Sequence, residues 1–237
     1  MNESLTVHVP GMAFSESVFV GDDLIYLNTP EGLYQVRNRK VRALTRYTEG
    51  ERDATICPRV IIPQVVPSAL CPPFVLKGRL YNVYEDKKQE KSFLTIFSLE
   101  GELLQQVEIE PCFWVLASSE HIFCLRDDHI NILDVEGNCI QQAQCGITRE
   151  LVTCTYEDSI IFLENTALIR VFADGTSETI CDLGKFQAFR RYYRMFSSNG
   201  RLYFQQSNLK KDSNGQKFRG SDFFIFEKAG ETLSYVA

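Results

Sequence analysis

The stretch Ile130-Asn131-Ile132-Leu133-Asp134-Val135-Glu136-Gly137 decides the reading of this chain, because its form returns. An apolar run ends in a short acidic turn closed by glycine. The same form recurs as Phe93-Leu94-Thr95-Ile96-Phe97-Ser98-Leu99-Glu100-Gly101 and as Leu168-Ile169-Arg170-Val171-Phe172-Ala173-Asp174-Gly175. A further copy is Phe223-Phe224-Ile225-Phe226-Glu227-Lys228-Ala229-Gly230. Glycine supplies the positive φ that short hairpin loops demand, so each copy predicts a strand running into a tight turn. In the earliest copy Asn38-Arg39 holds that place, and asparagine also reaches positive φ.

A second apolar-aromatic element precedes each of these. It reads Asp23-Leu24-Ile25-Tyr26-Leu27, Arg79-Leu80-Tyr81-Asn82-Val83 and His121-Ile122-Phe123-Cys124-Leu125. It returns as Ser159-Ile160-Ile161-Phe162-Leu163 and Arg201-Leu202-Tyr203-Phe204-Gln205. The second residue of each falls at 24, 80, 122, 160 and 202, in steps of 56, 42, 38 and 42. A period near 40 residues marks a repeat architecture. Adding an outer element on each side gives four strands per unit. The third unit is Cys112–Ala117, Ile122–Leu125, Ile130–Val135 and Asn138–Cys145; the fourth is Leu151–Tyr156, Ile160–Glu164, Leu168–Ala173 and Thr176–Asp182. The fifth is Tyr192–Ser197, Leu202–Ser207, Asp222–Lys228 and Glu231–Val236. No segment carries a long amphipathic helical pattern.

A single four-stranded sheet cannot bury both its faces, so radial repetition is the expected solution. The chain resembles β-propeller repeat proteins in general, over nearly its whole length. The resemblance implies an all-β, five-bladed β-propeller with four-stranded antiparallel blades, as a single domain over 1–237. Its blades would cover about 12–49, 67–110, 111–146, 147–185 and 188–237. Residues 1–11 would supply a closing strand or belong to an unfinished sixth unit, and 50–66 an irregular connector. Neither a Gly-His…Trp-Asp pattern nor a Gly-Gly pair is present, so no WD40 or kelch signature supports a narrower assignment.

Composition sets the outer limits. The 237 residues are 44% hydrophobic and 24% charged, ordinary for a folded domain. The opening MNESLTVHVPGM has no basic stretch followed by an apolar one, so no secretory signal is expected, and no run reaches membrane-spanning length. The eight cysteines include no C-x-x-C pair and sit mostly in apolar runs, which predicts buried, reduced thiols in an intracellular, cytoplasmic protein. The net charge of −6 argues against a nucleic-acid binder. The charge is uneven: residues 185–220 hold nine bases against Asp212, a net of +8 that leaves −14 elsewhere.

Candidate binding residues follow from loops on a rigid scaffold. Two segments are expected as loops between second and third strands, Glu85–Lys91 and Asn208–Gly220, with a rim shared by the connector 50–66. Lys87, Lys88 and Lys91 with Lys210, Lys211, Lys217, Phe218 and Arg219 would make a basic rim for an acidic partner or a phosphate-bearing ligand, against the plain alternative of a solvated loop. Arg190, Arg191 and Arg194 enter an innermost strand, where they would bind an anion in the channel or pair with neighbouring acids. The apolar, proline-rich 57–67 is expected as an extended connector packed across a blade.

Catalytic patterns are scarce. Five-bladed propellers include glycoside hydrolases with paired carboxylates, and Glu16, Glu150 and Glu157 are the acids the inner strands offer. His8, His121 and His129 show no zinc spacing, so no metal or cofactor is expected. The expectation is a non-catalytic interaction or scaffold module that binds a protein or peptide. The alternative is a small-ligand or glycan binder, or a hydrolase-like enzyme, using the central cavity.

Overall fold

A computed structural model describes residues 16–20, 24–29, 32–38, 40–46, 60–61, 65–66, 73–86, 91–146, 153–164, 166–182, 193–211, 216–229 and 232–235. Every regular element among them is a β-strand. The first sheet contains β1 (Glu16–Val20), β2 (Leu24–Thr29), β3 (Gly32–Arg37), β4 (Lys40–Arg46) and β5 (Val60–Ile61) in that order. The second contains β6 (Val65–Val66), β7 (Phe74–Leu76), β8 (Arg79–Asp86), β9 (Lys91–Ser98) and β10 (Leu103–Ile109), with both β6 and β7 paired to β8. The third runs β11 (Trp114–Ala117), β12 (Ile122–Leu125), β13 (His129–Leu133) and β14 (Cys139–Gln144). The fourth runs β15 (Thr153–Tyr156), β16 (Ser159–Glu164), β17 (Ala167–Phe172) and β18 (Ser177–Asp182). The fifth runs β19 (Tyr193–Ser198), β20 (Arg201–Lys211), β21 (Lys217–Ala229) and β22 (Thr232–Tyr235). These five sheets are the blades of a β-propeller.

The chain divides into two compact units, 1–126 with 133–138, and 127–132 with 139–237. Within each, the core lies as layers between successive sheets. In the first unit Tyr26, Leu33 and Leu44 meet Leu80 and Phe97, while Tyr81, Leu94 and Ile96 meet Val115 and Ile122. In the second unit Tyr156, Ile161 and Leu168 meet Met195, Leu202 and Phe226. Burying a large apolar side chain this way is worth about 1.5–3 kcal/mol, so each layer holds its two sheets together. The middle strands are covered on both faces, which is why Ile122–Leu125 and His129–Leu133 are buried at every position and show no alternation.

The repeated glycine turn has one geometry in three blades. Gly101, Gly137 and Gly175 have φ of 81°, 87° and 82°. Each donates its N–H to the carbonyl three residues back, Ser98, Asp134 and Phe172, at 2.9, 3.1 and 3.0 Å. The N–H of that same residue returns to the carbonyl after the glycine, on Glu102, Asn138 or Thr176. This is a type I turn closed by a left-handed residue, the form favoured in three-residue hairpin loops. Side chains reinforce it: Asp134 accepts from the N–H groups of Glu136 and Asn138 at 3.0 and 2.8 Å, and Ser98 Oγ accepts from those of Glu100 and Glu102. Burial works to raise the Asp134 carboxyl, but the Asn138 side chain and the backbone donors outweigh it and hold it below its ordinary range. At the first blade Asn38 takes φ 49°, as the sequence predicts. Gly230 lies outside the described residues, as do 1–15 and hence the predicted closing strand.

Val60–Ile61 pair in parallel with Thr45–Arg46 of β4, and Val65–Val66 pair with Glu85–Asp86 of β8. These two short pairings add a strand to each of the first two sheets beyond the four expected.

Candidate functional site

The segment from Asn208 to Gly220 differs from its expected form. It reads as a loop in the sequence, yet the hairpin strands run through most of it. β20 and β21 pair continuously from Arg201↔Glu227 to Lys211↔Lys217. Their neighbours stop earlier. β19 pairs only with Arg201–Gln206 and β22 only with Phe226–Ala229. The rungs from Ser207↔Ser221 outward therefore form a two-stranded ribbon with no third strand on either side among the described residues.

This ribbon carries the predicted cations in paired positions. Leu209 is opposite Arg219, Lys210 opposite Phe218 and Lys211 opposite Lys217. Neither strand of the ribbon, 207–211 or 217–221, holds an acid. Like charges directly opposite one another destabilise an antiparallel pair, so the Lys211↔Lys217 rung is an arrangement that an anion would relieve.

The other predicted binding residues fare differently. Lys91 opens β9, and its Nζ donates to Glu108 Oε2 of β10 at 2.7 Å, so it is spent inside its own sheet. Lys87 and Lys88 lie outside the described residues, as do Arg190 and Arg191. The loop itself is shorter than expected, since Asp86 pairs with Lys91 and leaves only 87–90 between the strands. Arg194 stands in β19 opposite Gln205.

A charged cluster missed in the sequence lies in the fourth blade. Arg170 is 3% exposed, and its guanidinium donates from Nε to Ser159 Oγ at 2.9 Å and from Nη2 to Glu157 Oε2 at 3.1 Å. It stacks on Phe172, 4.4 Å from the ring centre, and on Tyr156 at 5.2 Å. Nη1 stands 3.6 Å from Glu178 Oε1, near enough to attract but too far to hydrogen-bond, which leaves that buried oxygen without a donor. Lys228 of β21 completes the set at 2.8 Å from Glu157 Oε1. The hydrogen bond from Lys228 is the largest influence on the Glu157 carboxyl, and with the Lys228 charge and the Arg170 pair it outweighs burial and holds the group below its ordinary range. A carboxylate held ionised by two cations makes a poor proton donor. Of the other two inner-strand acids, Glu150 lies outside the described residues and Glu16 is described only in its backbone.

Two of the thiols are also unsuited to attack. Burial pushes Cys154 up to about 12, and burial with the nearby Asp182 pushes Cys181 up to about 11. A thiol in that range supplies almost no thiolate at neutral pH. Cys124 is buried as expected, whereas Cys139 is exposed. Among the described residues no three His, Cys, Asp or Glu side chains converge where a metal ion would sit.

No family model matches this sequence, and no curated protein matches it. Solved structures share its fold. One is a protein of unknown function from Bacteroides caccae, with a TM-score of 0.55 and 10% identity over 93% of this chain and 81% of that one. Another is Hsv2 from Kluyveromyces lactis, with a TM-score of 0.50 and 10% identity over 88% of this chain and 72% of that one. At such identity the likeness is one of fold alone.

Proposed function

We propose that this chain is a non-catalytic interaction module that holds a protein or peptide partner on the ribbon of its fifth blade. The carrying observation is the Lys211↔Lys217 rung, set in a ribbon that pairs with no third strand among the described residues and whose own two strands hold no acid. A ladder that keeps a like-charge pair at its open end is suited to an anionic surface. The favoured partner is an acidic protein segment. A chain of net −6 repels the long phosphate backbone of nucleic acid outside such a local patch. The reading places the protein inside the cell, where its many cysteines would stay reduced.

The test is affinity capture from the native source with the intact chain and with a variant in which Lys210, Lys211, Lys217 and Arg219 are all serine. A partner that the intact chain retains at physiological salt, and that the variant loses, supports the reading. A partner retained equally by both forms removes the ribbon from the function.

A further inference from the structure

We propose that the cleft between the end of β14 and the β17–β18 pair is a socket for one cationic side chain, a lysine or arginine of a bound peptide. The cleft holds about 250 Å³ and is lined chiefly by Cys145, Glu164, Ile169, Val171, Ser177 and Thr179. That volume lies below the roughly 300–1,000 Å³ of small-molecule sites, and it suits a single long side chain.

The register assigns the walls. Ile169 is opposite Thr179 and Val171 opposite Ser177, so these four share one face of the pair. By register Arg170 and Glu178 alternate to the other side of the pair, where the guanidinium is already engaged by Ser159 and Glu157, although part of Glu178 also borders the cleft. Among the described residues the cleft face thus has an aliphatic floor, two hydroxyls and no cation. The floor would take the methylene stem of a basic side chain, and the hydroxyls would accept from its head.

Glu164 supplies the charge. Its Oε1 accepts the Gly146 N–H at 2.8 Å, which fixes the carboxylate at the cleft wall. A Cβ on residue 146 would lie 3.0 Å from that oxygen, so the bare glycine is what admits the close approach. Among the described residues no side chain donates to Glu164 and no cation pairs with it, which leaves Oε2 open to an incoming N–H. The local field agrees with this arrangement. Burial first, then the charges of Glu164 and Asp128, push the Cys145 thiol up to about 12. The carboxylates that disfavour a thiolate there favour a cation.

The socket is independent of the ribbon, and its test uses a defined probe. The 15N-labelled intact chain is titrated with Nα-acetyl-lysine methylamide and, separately, with the norleucine analogue, which keeps the stem and lacks the charge. The amides of Gly146, Ser177 and Thr179 report binding. A saturable shift with the lysine probe is expected, about ten-fold tighter than with norleucine, as one charge-assisted hydrogen bond provides. Glu164→Gln should abolish that difference while leaving the remaining spectrum in place. Equal binding of the two probes, absence of a saturable shift, or a lysine preference that survives Glu164→Gln would each overturn the proposal. The serine variant of the ribbon should bind the lysine probe unchanged, so failure of the ribbon reading and failure of the socket are told apart.

Discussion

The side-chain amide of Gln141 donates to the backbone carbonyl of Asp174 across 2.8 Å, and a Cβ on the next residue, Gly175, would lie 2.7 Å from Gln141 Cγ. The relation repeats along the chain. Arg42 donates to the Glu100 carbonyl at 2.8 Å beside Gly101, and Gln105 donates to the Glu136 carbonyl at 3.3 Å beside Gly137. In each case the outer strand of one blade grips the turn of the next. The turn glycine therefore meets two demands, a left-handed backbone and a close approach by the preceding blade. Only the first demand can be read locally.

These two demands separate in mutants. Gly78 and Gly200 have φ of 72° with nothing within 4 Å of a built Cβ, whereas a Cβ on Gly101 would lie 2.5 Å from the Cδ2 atom of buried Leu44. Alanine at 78 or 200 should cost about 1 kcal/mol, the backbone strain alone. Gly101→Ala should cost about 2–3 kcal/mol, because Leu44 must also move. Combining Gly101→Ala with Leu44→Ala should recover about 1 kcal/mol relative to the sum of the two single changes, as read by equilibrium denaturation.

Tyrosine hydroxyls form a second set of ties. Tyr26 donates to the Leu99 carbonyl at 2.6 Å, Tyr81 to that of Val135 at 2.9 Å and Tyr156 to that of Gly200 at 2.8 Å. The Leu99 carbonyl also accepts from Gln35 Nε2 at 3.0 Å. Tyr26→Phe should therefore be the mildest of the three, at about 0.5 kcal/mol, since its acceptor keeps a donor. Tyr81→Phe and Tyr156→Phe should each cost about 1–1.5 kcal/mol in the same denaturation series.

The repeat was legible because glycine turns and apolar strands are local signals. The period placed β12, β16 and the start of β20 to within a residue. The ribbon was not legible. Asn208–Gly220 has turn residues and no apolar alternation, and its pairing continues the register of the hydrophobic hairpin behind it. The ties from Tyr81 and Gln141 end on backbone carbonyls, which no side-chain pattern reveals. Arg170 and Glu157 are 13 positions apart and met only through the β16–β17 register, so the charged cluster was equally hidden. Glu164 and Gly146 belong to different sheets, and neither signals the other in sequence.

The Arg170 cluster gives a pH signature with a definite sign. Lys228 and Arg170 hold Glu157 below its ordinary value in the folded chain. The stabilisation is thus fully present above the ordinary glutamate range near 4.5 and is lost as pH falls through the lower folded value. Glu157 is 43% exposed, so solvent screening should keep this contribution below about 1 kcal/mol. Glu157→Gln should flatten that part of the acid limb, and Lys228→Met should move the Glu157 midpoint, followed by carboxyl NMR, back toward its ordinary value. Arg170→Met should be far costlier, at about 3 kcal/mol, because it leaves Ser159 and Glu178 facing a buried site without their cation.

Excision of the ribbon separates scaffold from function. The rungs beyond Gln206↔Asp222 touch neither β19 nor β22 in the ladder, so the four-stranded part of the fifth blade does not depend on them. Replacing residues 208–220 by Asn-Gly would join Ser207 to Ser221, an opposed pair already in register for a two-residue hairpin. The shortened chain should keep its melting temperature within about 2 °C, since a two-stranded ribbon adds little stability of its own. It should lose the partner that the intact chain captures, as the serine variant does. A fall of about 10 °C would instead assign the ribbon a packing role, and its cations would then need another explanation.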